Sequence, residues 1–186
     1  MTTYDNSELD VMAGDPILAA DVNDIIDRLG RTYIKSSATS RNTTTSYSND
    51  PELANIPLEV GTYEIELVGQ FTLATTATQK IKTQWAFTGT WNGGTAARAC
   101  FGPGSAQTGN PTAVTDMFIQ ALHVNGQDAV YDVAAGTGSY SSFRELAGQV
   151  TVTAAGNLSL QWAQSASSAN NTTLQEGSYF RVRRIF

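Results

Sequence analysis

From residue 62 the chain alternates. In the segment 62–74, Tyr63, Ile65, Leu67, Phe71 and Leu73 fall on one parity and Glu64, Glu66, Gln70 and Thr72 on the other. Side chains of a strand point to opposite faces with a period of two, so this pattern predicts a strand that is half buried and antiparallel to its neighbours. Residues 80–91 repeat it, with Ile81, Trp85, Phe87 and Trp91 facing in and Lys80, Lys82, Gln84 and Thr88 facing out. Further strands are expected at 32–40, 97–102, 117–125, 129–135, 143–154, 157–164 and 178–186. Glycine, asparagine and proline punctuate the gaps, in NGG at 92, GPGSAQTGNP at 102, NGQ at 125, GTGS at 136 and AGN at 155. Eight or nine short strands at this spacing in one domain predict an antiparallel sandwich, with a jelly roll as the expected form.

One stretch has a different period. Leu18, Val22, Ile25, Ile26 and Leu29 recur at three- and four-residue spacing, flanked by Asp15-Pro16 and Gly30. Those are helix start and stop signals around one apolar stripe, and they predict a short amphipathic helix. Asp21, Asn23, Asp24 and Asp27 keep the rest of its surface polar. The stripe must be covered by the β domain or by a partner. The expected organisation is an N-terminal anchor segment at 1–30 and a β-sandwich at 31–186.

Several strands are apolar on both faces. Met117 and Ile119 oppose Phe118, Leu122 and Val124, and in the last strand Phe180, Val182 and Phe186 oppose Tyr179 and Ile185. A single sandwich covers only the inner face of a strand, so subunit contacts are expected to cover the other. A chain that closes on Phe186 is expected to have that end clamped at such a contact.

Composition narrows the function. Charged residues make up 15% of the 186 residues, against about a quarter in ordinary soluble chains, and Ser, Thr, Asn, Gln and Gly take their place. The net charge of −6 repels nucleic acid and anionic membranes, so neither is an expected partner. No apolar run reaches the ~18 residues of a membrane helix, and residues 1–15 lack the pattern of a signal peptide. The lone Cys100 is expected as a small core residue without an internal disulfide. The basic group Arg181, Arg183 and Arg184 is expected to pair with carboxylates of the same chain or a neighbour.

Catalytic chemistry has little to work with. His123 is the single histidine and sits in an apolar segment with no second His or Cys close by in sequence, so neither a metal centre nor a general base is expected. SNDPE and VNGQD could offer oxygens to Ca²⁺, but Asn and Asp in turns bond their own backbone, which is the expected role. The glycine clusters fit no phosphate-binding motif. Trp85, Trp91 and Trp162 share faces with apolar neighbours and are expected in the core rather than on a sugar-binding surface. No cofactor and no enzymatic activity are expected.

Two stretches resemble known proteins. AGDPILAADVNDIIDRL resembles the short motif, glycine then an aliphatic, alanine and an (L/V)N pair, near the N-terminus of many tailed-bacteriophage tail and fibre proteins. GNLSLQWAQSASSANNTTLQEGSYFRVRRI, with the earlier DPELANIPLEVGTYEIELVGQFT, is similar to small actinobacteriophage virion proteins that carry a C1q/TNF-like jelly roll. The resemblance implies a homotrimer in which LQWAQ and GSYFRVRRI form the last two strands beside the three-fold axis. Tyr179, Phe180, Val182, Ile185, Phe186 and Trp162 are then the expected trimer contact. Leu18, Val22, Ile25, Ile26 and Leu29 are the expected virion anchor. A tail fibre has a long shaft before its knob, whereas only about 30 residues precede this β domain. That favours a capsid decoration protein on the virion surface, bound to the major capsid protein, over a tail-tip or fibre knob that would bind a host glycan.

Overall fold

The fold was analysed in a computed structural model, which describes residues 22, 25, 26, 29–74, 80–92, 97–103, 117–123, 128–132 and 140–185. Fourteen strands run through the described residues: β1 (Arg31–Ile34), β2 (Thr39–Arg41), β3 (Ser48–Asn49), β4 (Ile56–Leu58), β5 (Gly61–Leu73), β6 (Ile81–Phe87), β7 (Thr90–Trp91), β8 (Arg98–Pro103), β9 (Met117–His123), β10 (Ala129–Tyr131), β11 (Tyr140–Ala154), β12 (Gly156–Gln164), β13 (Thr172–Leu174) and β14 (Tyr179–Arg184). They form two antiparallel sheets. The larger is ordered β1-β14-β5-β11-β8-β9, with β13 joining β5 to β2 and β7 beside β11. The smaller is ordered β10-β6-β12-β3, with β4 also on β12.

The sheets face each other across one core, as the alternation predicts. Tyr63, Ile65, Leu67, Phe71 and Leu73 of β5 are buried, as are Ile81 and Trp85 of β6, while Phe87 and Trp91 pack at its margin. Phe180 of the large sheet meets Trp85 of the small one edge-on at 5.4 Å, and Tyr131 stacks on Phe143 across the sheets at 4.4 Å. Each such ring removed from water contributes about 1.5–3 kcal/mol. Gly69 makes room for this stack. It lies opposite Phe143 in the β5–β11 register, and a Cβ there would sit 2.1 Å from the ring.

The pairing is nested. β1 lies on β14, β3 and β4 on β12, β5 on β11, and β6 on β10, so the first half of the chain folds back along the second. Strands β7, β8 and β9 fall between β6 and β10 in sequence, and β8 and β9 widen the large sheet beyond β11. The register of β11 against β5 shifts between Ala147 and Val150. Such a bulge bends a 15-residue strand around the core.

The sequence reading placed one strand at 32–40, where the structure has two, β1 and β2. Between them the chain turns inward at Lys35, whose buried ammonium bonds Asp50 at 3.1 Å and Thr39 Oγ1 at 2.7 Å. A charge that must reach a buried partner breaks the strand. The expected N-terminal helix falls largely outside the described residues. At its end Gly30 adopts φ +91° and its N–H donates to Ile26 O at 3.1 Å, which is the geometry that favours glycine at a helix stop.

Candidate functional site

Because Ile65 and Leu67 point into the core, Glu64, Glu66 and Val68 must point out of the large sheet. The register then extends two rows across its outer face. One row runs Ile34, Tyr179, Val68, Arg144, Phe101, and the next runs Thr32, Arg181, Glu66, Leu146, Ala99. The first is apolar except for one arginine. Ile34 is 64% exposed, and Tyr179, Val68 and Phe101 are half-buried.

The charges beside this row are paired within the chain. Glu66 accepts Arg144 Nε at 2.5 Å and faces Arg181 Nη1 at 3.5 Å, and Arg183 pairs with Glu64. Arg181 also lies over the Tyr179 ring at 5.8 Å. The three arginines are about half exposed and the pairs add little to stability where they stand. Arg144 and Arg181 do neutralise Glu66 as it is covered. Leu29, 78% exposed, lines the same depression as Glu64, Glu66, Arg144, Arg181 and Arg183. Arg181 and Arg183 thus pair as the sequence suggested. Arg184 points the other way, and its Nη2 donates to Val60 O at 3.0 Å.

Burial sorts the residues expected at a trimer contact. Trp162 and Phe180 are fully buried and Val182 nearly so, inside the core of a single chain, so they have almost no surface to give a partner. The alternation that makes them apolar serves the sandwich. Tyr179 is on the outer face, Ile185 is half-buried past the end of β14, and Phe186 lies outside the described residues. Of the expected anchor, Val22, Ile25, Ile26 and Leu29 are exposed, and Leu18 lies outside the described residues.

Two buried ion clusters had no signal in the sequence. Arg98 and Glu145, on adjacent strands of the large sheet, meet at 2.9 Å in the core. Glu145 also accepts from Tyr131 at 3.0 Å and from Thr83, and Arg98 donates to Thr83 O at 3.2 Å. The second cluster centres on Asp50. It accepts Lys35, Trp162 Nε1 at 3.1 Å, and the N–H groups of Glu52 and Leu53. This is the turn role expected of SNDPE, with a buried lysine added. The first cluster bridges the two sheets through Thr83 and Tyr131, and the second ties the turn at 50–53 to Lys35 and Trp162. Burial, reinforced by Glu145, pushes the Cys100 thiol up to about 11, so it stays protonated at neutral pH and is a poor nucleophile. Among the described residues no group of three or more His, Cys, Asp or Glu is placed to hold a metal ion. The side chain of His123 lies outside the described residues.

No family model and no curated protein matches this sequence. A solved structure of infectious bursal disease virus Gx strain aligns at 10% identity with a TM-score of 0.20, over 82% of this chain and 37% of that one. A likeness of that size carries no argument about fold or function.

Proposed function

We propose that this chain is a structural subunit of a bacteriophage virion, a homotrimeric jelly roll that decorates the capsid exterior and performs no chemistry. The observation that carries the reading is the row Ile34, Tyr179, Val68, Phe101 on the outer face of the large sheet. A sheet face left to water is normally polar. Here four apolar residues and Arg144 line up across five strands, beside a Glu66 already neutralised by Arg144 and Arg181, so covering the row removes apolar area from water with that charge pair kept together. A neighbouring copy of the chain is the proposed cover.

The nested pairing supports the jelly-roll form. A jelly roll is one long hairpin rolled up, so its first strand pairs with its last and the pairing works inward, as β1·β14, β3 and β4·β12, β5·β11 and β6·β10 do. The resemblance of residues 50–72 and 156–185 to actinobacteriophage virion proteins supports virion membership. In this reading residues 1–30 anchor the trimer to the major capsid protein through the exposed stripe of Val22, Ile25, Ile26 and Leu29.

Immunogold electron microscopy of purified virions tests the location. Gold spread over the head is expected. Gold confined to the tail end would replace the decoration reading with a fibre knob.

A further inference from the structure

The Lys35–Asp50 pair differs from the other lysine–carboxylate contacts between β-strand neighbours. Both of its side chains are fully enclosed, with Nζ 3.1 Å from Oδ1, whereas Lys80–Asp132 and Lys82–Asp128 leave one or both partners partly exposed. Lys35 directly follows β1 of the large sheet and Asp50 directly follows β3 of the small one, so folding brings the two groups together from opposite sheets and out of water. Removing two charges from water is costly, and passing the ammonium proton to the carboxylate abolishes both charges. That leaves an amine against a carboxylic acid at contact distance.

Both partners are held still. Lys35 Nζ also donates to Thr39 Oγ1 at 2.7 Å. Asp50 accepts Trp162 Nε1 on Oδ2 at 3.1 Å, and the N–H groups of Glu52 and Leu53 on Oδ1 at 3.0 and 3.1 Å. Reactants fixed in this way reach effective concentrations of about 10⁵–10⁸ M. In water an amine and a carboxylic acid resist condensation because both ionise and hydrate, and enclosure removes that obstacle.

We propose that Lys35 and Asp50 condense into an isopeptide bond once the chain has folded. The ammonium proton passes to Oδ1, the freed Nζ attacks Cγ, and Trp162 Nε1 donates to the oxyanion that forms on Oδ2. Glu52 Oε1 lies 3.5 Å from Nζ and is kept anionic by Ser36 and Ser37, so it balances the positive charge that returns to the attacking nitrogen. That nitrogen gives a second proton to Oδ1, the Cγ–Oδ1 bond breaks, and one water leaves. Of the three ammonium hydrogens one stays on the amide and two leave in the water, so no oxidant or other reactant is needed. β1 is an edge strand of the large sheet. A pull on the chain ahead of it would peel β1 from β14, and a covalent bond at Lys35 would stop the peeling there. The reaction lies within one chain and stands independently of the assembly proposed above.

Intact mass spectrometry of the purified full chain, unfolded in denaturant before injection, tests it. A mass one water below that of the sequence is expected. Fragment ions after trypsin digestion are expected to join the peptide holding Lys35 to the one holding Asp50. Lys35→Arg keeps the positive charge but replaces the amine that condenses, and it is expected at its full sequence mass. A natural chain at full sequence mass, a water lost from any other pair of residues, or a loss that survives Lys35→Arg would each overturn the inference.

Discussion

Single residues here act through what surrounds them. Gly69 is required because the Phe143 ring occupies the space of its Cβ, so Gly69→Ala is expected to cost about 1–3 kcal/mol as the aromatic stack shifts. Urea unfolding would show that as a lower midpoint at unchanged slope. The pair Arg98–Glu145 behaves differently, because each charge is buried and depends on the other. Glu145→Leu alone is expected to destabilise by about 3–5 kcal/mol, whereas Arg98→Met with Glu145→Leu should recover most of that loss. A double-mutant cycle by chemical denaturation measures the difference, and equal losses in the single and double variants would contradict it. Glu52 contributes to the acid dependence of stability. Hydrogen bonds from the side chains of Ser36 and Ser37, then the Ser36 N–H, hold it down from 4.5 to about 2. A carboxylate lowered on folding stabilises the fold above its unfolded value and loses that contribution as pH falls from about 4.5 toward 2. Glu52→Gln should flatten the fall in melting temperature across that window. None of these partners was legible in the sequence, because the pairing of β8 with β11 brings Arg98 to Glu145, and the fold brings Lys35 after β1 to Asp50 after β3 across 15 residues of chain.

Elements were easier to read than partners. The long strands β5, β6, β11 and β12 were legible, since each carries enough alternation to declare its buried face. β2, β3, β4 and β13 are two or three residues long, too short for a period of two to stand out. Phe180 and Val182, placed at a trimer contact by the resemblance, are turned inward beside Leu67 and Ile65 by the register. The apolar band on the outer face is the counterpart, and no single strand announces it. It exists only when β1, β14, β5, β11 and β8 align. Val68→Glu, at its centre, is expected to leave the stability of an isolated chain within about 0.5 kcal/mol while disrupting assembly. Sedimentation velocity of that variant would show a slower species, and a value equal to that of the unaltered protein would remove the band from the contact.

At the scale of the molecule, the nested pairing joins the chain's first strand to its last and leaves one sheet with an apolar outer row. A subunit contact of ordinary size buries on the order of 800 Å² per partner, and such a contact ties folding stability to concentration by mass action. The melting temperature is therefore expected to rise with protein concentration. The antiparallel sandwich was legible from alternation and turn spacing, while the strand order needed the structure. The proposed trimer would cover that row with a second copy of the chain. Sedimentation equilibrium at micromolar concentration tests it most directly: the account predicts three times the 19.8 kDa of one chain, and a mass of one chain would contradict it.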